Sequence, residues 1–121
     1  MNDLTDFSPN VLAEACPSRQ VLKHLTSQWA ILVLRALGEG TLRFSQLRRK
    51  VGGVSERMLA QTLQVLESDG LVRRVSYPVV PPHVDYTLTP LGAEAAKRVV
   101  ALTCWIEENL ARMKDGERAT E

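Results

Sequence analysis

Arg57, Gln61 and Gln64 follow one another at steps of four and three residues, the spacing that puts side chains on one face of a helix. A guanidinium presents two parallel donors that match guanine in the major groove. A glutamine amide presents the donor and acceptor that match adenine. These three residues therefore have the chemistry of base-edge readers. Around them stand Arg43, Arg48, Arg49, Lys50 and Arg73, cations suited to phosphate oxygens. Ser45 and Ser55 sit where helices are expected to begin, so each can cap a helix and turn backbone amides toward an anion. His83, at the expected tip of a hairpin, joins this positioning set. The same basic run also fits an ordinary solvated face.

Cys16 invites a different chemistry. It precedes Pro17 at an expected helix start, with Arg19 nearby, and both features favour the thiolate. It is a candidate redox or electrophile sensor, and equally a small packed residue; Cys104, beside Trp105, reads as packing. A metal site would need Cys16, His24, His83 and Cys104 to converge, and no C-x-x-C or H-x-x-x-H pair supports one. A cysteine-dependent enzyme, with Cys16 as nucleophile and His24 or His83 as base, lacks any phosphate-loop or oxyanion-hole motif. No catalytic residue, metal or cofactor is expected.

These residues need a scaffold. The chain has 121 residues, 45% hydrophobic and 24% charged, enough for one domain. Its longest apolar run, Trp29 to Leu34, is far short of the roughly 20 residues that span a bilayer. The acidic N-terminus lacks a signal-peptide layout, and two distant cysteines are no disulfide framework, so a cytoplasmic protein with no membrane partner is expected. The net charge of +1 hides an asymmetry. Asp3, Asp6 and Glu14 have no cationic counterpart in residues 1–15, whereas residues 40–76 carry seven Lys and Arg against Glu56, Glu67 and Asp69. Positive charge in mid-chain, between acidic ends, is the pattern of a nucleic-acid face.

Periodicity supplies the elements. A short arm and a helix from Pro9 to Ala15 precede a helix opening at Cys16-Pro17 and ending near Leu25. Thr26 and Ser27 offer a cap for a mostly buried helix, Gln28 to Leu37. Thr41 to Phe44 reads as a brief strand. Ser45 caps a helix from Gln46 to Val51, closed by Gly52-Gly53. Ser55 caps a second, running to about Ser68, with Met58, Leu59, Leu63, Val65 and Leu66 toward a core. Strands at Leu71 to Tyr77 and Val84 to Leu88 flank a proline-rich link. Thr89-Pro90 opens a last helix to about Met113. Its stripe of Val99, Leu102, Trp105, Ile106, Leu110 and Met113 exceeds what a small core can cover, so a dimer interface is expected. The domain then comprises residues 16–113, between an N-terminal arm with its short helix (1–15) and a frayed charged tail (114–121). The fold class is mainly α with a small β-hairpin (α+β): helix, glycine turn, helix, hairpin is the order of a winged helix-turn-helix.

Cys16-Pro17, Trp29-Ala30-Ile31-Leu32, Arg43-Phe44-Ser45-Gln46-Leu47 and Gly53-Val54-Ser55-Glu56-Arg57-Met58-Leu59 are specific in combination. With Gly70-Leu71-Val72-Arg73-Arg74, Tyr77-Pro78, Val80-Pro81-Pro82, Val84-Asp85-Tyr86 and Leu88-Thr89-Pro90-Leu91-Gly92 they resemble the HxlR-type transcriptional regulators, relatives of the MarR-type winged helices. The resemblance covers residues 16 to about 106. It implies a bacterial regulator that binds a pseudo-palindromic double-stranded DNA operator as a homodimer, through terminal helices; a small-molecule or oxidant effector as a further partner is left open by the sequence. Some members sense oxidants through a cysteine at the position of Cys16. The chain departs from the family at Thr26-Ser27-Gln28-Trp29, often Gly-Gly-Lys-Trp there, at Gln46 and Val79, often Glu, and at His83, often a more basic residue. A winged helix that binds only protein is the alternative, and the cationic reading face argues against it.

Overall fold

The computed structural model describes residues 8–119. Among them the order is α1 (Pro17–Leu25), α2 (Gln28–Leu37), α3 (Phe44–Lys50), α4 (Glu56–Ser68), β1 (Val72–Tyr77), β2 (His83–Leu88) and α5 (Pro90–Ala119). Helix α2 is the hub, as its nearly all-round apolar sequence requires, and α1, α3, α4, α5 and β2 all pack on it. Leu34 of α2 is fully buried, and Leu47, Leu59, Leu63 and Leu66 are fully buried around the hub. Each such leucine contributes about 2 kcal/mol by leaving water. Met58, expected in this core, lies exposed, and Val65 is only half-buried, because the narrow stripe of Leu59, Leu63 and Leu66 already fills the contact with α2.

Strands β1 and β2 pair antiparallel, with Val72 opposite Leu88 and Tyr77 opposite His83. The expected strand at Thr41–Phe44 shrinks to one bridge, in which Leu42 and Tyr86 exchange both backbone hydrogen bonds at 3.0 and 2.8 Å. Phe44 already belongs to α3. Gln46 is the reason: its side-chain oxygen accepts from the Arg43 backbone N–H at 2.8 Å, so Arg43 takes the cap position, the helix starts at Phe44 and Ser45 lies inside the first turn rather than capping it. Likewise Ser27 holds the position before α2 without a side-chain cap bond, and the Thr26 hydroxyl donates back to Leu22.

Pro9–Ala15 forms turns instead of the expected helix. The Asn10 side chain accepts from the Leu12 N–H at 3.0 Å, a local bond that competes with helix formation. Residues 1–7 of the arm lie outside the described residues. At the other end, α5 continues through the expected frayed tail to Ala119. Its start is pinned to the corner after α4. Thr89 donates to the Gly70 carbonyl at 2.7 Å and accepts from the Gly92 N–H at 2.9 Å. Gly92 is there because a Cβ would stand 1.9 Å from the Leu71 carbonyl oxygen.

Candidate nucleic-acid interface

The turn between α3 and α4 sets the site. Gly53 adopts φ +88°, where a side chain would be strained, and buried Val51 and Val54 hold the turn on either side of it. Ser55 then caps α4 by accepting from the Met58 N–H at 3.0 Å, as its sequence position requires. With Leu59, Thr62, Leu63 and Leu66 buried, Arg57, Gln61, Gln64 and Ser68 are left on the opposite, exposed face. Among the described residues, Arg57, Arg49, Arg73 and Arg74 are in no ion pair. Uncommitted donors thus stand on the outer side of α4, with others on α3 (Arg49) and on β1, where the consecutive Arg73 and Arg74 point to opposite faces.

The remaining positioning candidates are engaged. Arg48 reaches Glu56 at 3.6 Å, an exposed pair that half-neutralises the approach to the α4 N-terminus. Lys50 turns away to Glu39 and, by donating to it, holds the Glu39 carboxyl below the usual carboxylate range. Arg43 is bonded to the His83 Nδ1 atom. His83 in turn meets Asp85 through Nε2 at 2.5 Å, and its ring stands edge-on to Tyr77 with centroids 5.1 Å apart. His83 is therefore half-buried at the last pair of the ladder, opposite Tyr77 and next to the tip loop. The tip is Val79, Val80, Pro81 and Pro82, with Val80 99% exposed.

The stripe on α5 divides. Val99 is half-buried against its own core, whereas Leu102, Trp105, Ile106, Leu110 and Met113 are exposed. Beside them, Arg35 on α2 forms a forked pair with Glu107 at 3.1 and 3.2 Å and also donates to Thr103 at 2.9 Å. The fork raises the guanidinium pKa further still, Glu107 being the main cause. Nothing in the chain's local patterns announced this link, since its partners lie far apart in sequence.

Cys16 is half-buried and does carry a lowered thiol pKa, but not for the expected reason. Its sulfur accepts from the Ser18 hydroxyl at 3.0 Å, the main cause, and from the Asn10 N–H at 3.3 Å. Arg19, expected beside it, donates instead to the carbonyls of Val11 and Leu12 at 2.8 and 3.1 Å. The serine two residues on was the available signal. The two imidazoles are occupied elsewhere, His24 by Asp69 at 2.8 Å and His83 as above. Among the described residues, no three His, Cys, Asp or Glu side chains cluster as a metal site, and no helix is long and apolar enough to cross a membrane.

Helix, glycine turn, capped second helix and two-stranded wing define a helix-turn-helix transcriptional regulator. The chain matches the family of HxlR-like helix-turn-helix proteins over residues 24–114 and belongs to it. It is 65% identical over 101 residues, 84% of this chain and 80% of the relative, to YtfH, an uncharacterized HTH-type transcriptional regulator of Escherichia coli K12. The solved structure of ytfH from Salmonella typhimurium is 60% identical, with a TM-score of 0.86, covering 92% of this chain and 99% of that one. The redox regulator HypR in its oxidized form is 34% identical, with a TM-score of 0.71, over 78% and 97% of the two chains.

Proposed function

We propose that this regulator binds a pseudo-palindromic DNA operator as a homodimer, with α4 in the major groove. The observation that carries the reading is the exposed face of Arg57, Gln61 and Gln64 on a helix whose other side is locked into the core. In this reading Arg57 and Gln61 contact base edges, with Gln64 one turn further along. Arg49 and Arg73, with Ser45 and the amides at Ser55, contact phosphates and fix the register. Arg48, Lys50 and Arg43 contribute less, because each must first leave a partner. The exposed stripe from Leu102 to Met113 supplies the symmetric contact, joined by Val99 at its edge. Fluorescence anisotropy of labelled duplexes at several salt concentrations tests the reading. Sequence-selective binding with a steep salt dependence is expected, and salt-insensitive or absent retention contradicts it.

A second element of function rests on Cys16. Its lowered pKa, together with the likeness to a redox regulator, favours thiol-based control in which oxidation or alkylation repacks the segment before α1. Titrating the operator complex with peroxide, wild type against Cys16→Ser, tests it. Equal sensitivity of the two proteins contradicts a sensing role.

A further inference from the structure

His83 stands between two charged groups that lie far apart in the chain or two residues away. Arg43, at the cap of α3, donates through a terminal guanidinium nitrogen to Nδ1, and Nε2 meets the Asp85 carboxylate at 2.5 Å. A guanidinium is a donor only, so Nδ1 must offer its lone pair. The ring proton therefore sits on Nε2, where the carboxylate accepts it. This arrangement requires a neutral imidazole in a single tautomer. The other groups facing the ring come from β1. Tyr77 stands edge-on to it, with centroids 5.1 Å apart, and Arg73 lies further along the same face of the hairpin.

A second proton can enter the ring only at Nδ1, the atom to which Arg43 donates. The hydrogen bond is then lost and an imidazolium faces a guanidinium, while Asp85 keeps the ring in place as an ion pair. The His83 and Asp85 side chains retain only 25% and 23% of their accessible surface, whereas Arg43 is exposed, so Arg43 is the partner that moves. Its backbone stays fixed by Gln46 at 2.8 Å. Arg43 stands at the start of α3, the helix of the pair that crosses the DNA backbone in helix-turn-helix docking. We infer that His83 is a positioning residue that gates Arg43: neutral, it withholds the guanidinium, and protonated, it releases it to a phosphate. The release occurs in the free protein, and its consequence for phosphate contact rests on the proposed DNA binding. A polyanion favours the protonated ring, so binding takes up a proton and strengthens as pH falls.

The test has one arm without DNA and one with it. In the free protein, nitrogen NMR of the His83 ring should show the Nε2–H tautomer at about pH 8, and the Arg43 side-chain signals should follow the ring's titration curve down to about pH 5.5. In the second arm a labelled duplex of mixed sequence serves as probe, because phosphate contacts carry no sequence information. Over that pH range the slope of log affinity against log salt should steepen by about 1.8 more in wild type than in His83→Gln, the ring and Arg43 each adding one contact. In an Arg43→Ala background the same comparison should give about 0.9. Taking the difference cancels the titration of His24, the one other histidine. The spectra need no variant, so a misfolded His83→Gln still leaves the gate decided. An Nδ1–H tautomer, Arg43 signals indifferent to the ring's titration, or an equal difference with and without Arg43 would overturn it. A duplex bound at no pH would contradict the DNA-binding reading instead, and the spectra would still decide the gate.

Discussion

Helix α4 turns Leu59, Leu63 and Leu66 inward and leaves Arg57, Gln61 and Gln64 in water. Helix α5 buries Ala96 near its start and then leaves Leu102, Trp105, Ile106 and Leu110 in water. Both helices are only partly covered, and the uncovered faces are of opposite character. An uncovered cationic, amide-rich face costs nothing in water and fits a polyanion. An uncovered apolar face is unfavourable until something apolar covers it, and a second copy of the same face is suitably matched. One chain thus carries two exposed surfaces of opposite chemistry.

The largest expected effect tests the apolar side. Trp105, 55% exposed, flanks this stripe on the neighbouring face of α5, and Trp105→Glu would place an unpaired charge in the proposed contact. Sedimentation should show a dimer for wild type at tens of micromolar, and a monomer for the variant. Operator affinity should then fall by about a hundredfold, because the two half-sites no longer bind as one unit. A monomeric wild type would break the comparison outright.

The attachment of α5 to the α4 corner comes next. Gly92→Ala forces a Cβ onto the Leu71 carbonyl, backbone that cannot give way easily, and should cost about 3 kcal/mol in urea unfolding. Gly52→Ala, with nothing within 4 Å, should stay within about 0.5 kcal/mol of wild type.

A finer distinction separates cations with and without partners. Arg49→Ala should lower the slope of log affinity against log salt by about 0.9, one phosphate contact. Arg48→Ala should lower it less, because Glu56 already offsets that charge. Equal slopes would mean that the Glu56 contact is broken in the complex at no cost.

The smallest effect concerns Cys16. Because its pKa is lowered, alkylation by iodoacetamide should reach half its maximal rate at a pH below the ordinary thiol value of about 8.5. The thiolate is the form the fold favours, so reactivity is gained as pH rises through the lowered value. Ser18→Ala removes the main cause and should move the midpoint up.

The sequence made these two helices legible because their logic is local: a Ser55 cap, a glycine turn and a leucine stripe are all read within one helix. The wing strands and the Thr89-Pro90 start of α5 were legible for the same reason. What escaped depended on competition or distance. Gln46 took the backbone N–H of Arg43 and moved the start of α3. The Asn10 side chain diverted Pro9–Ala15 into turns. Charge composition showed seven cations between residues 40 and 76 but not which would find partners. Lys50 with Glu39, Arg43 with His83 and Arg35 with Glu107 are joined only by the fold.

The most direct test of the account is selection of genomic DNA fragments by wild type and Arg57→Ala in parallel. Wild type should enrich a two-fold related motif with half-sites about one helical turn, roughly 34 Å, apart. Arg57→Ala should enrich the same motif with preference relaxed at one base pair in each half-site, a loss of about 1–3 kcal/mol of discrimination there. No enriched motif, or an Arg57→Ala protein that loses affinity for every sequence alike, would contradict the claim that α4 reads DNA.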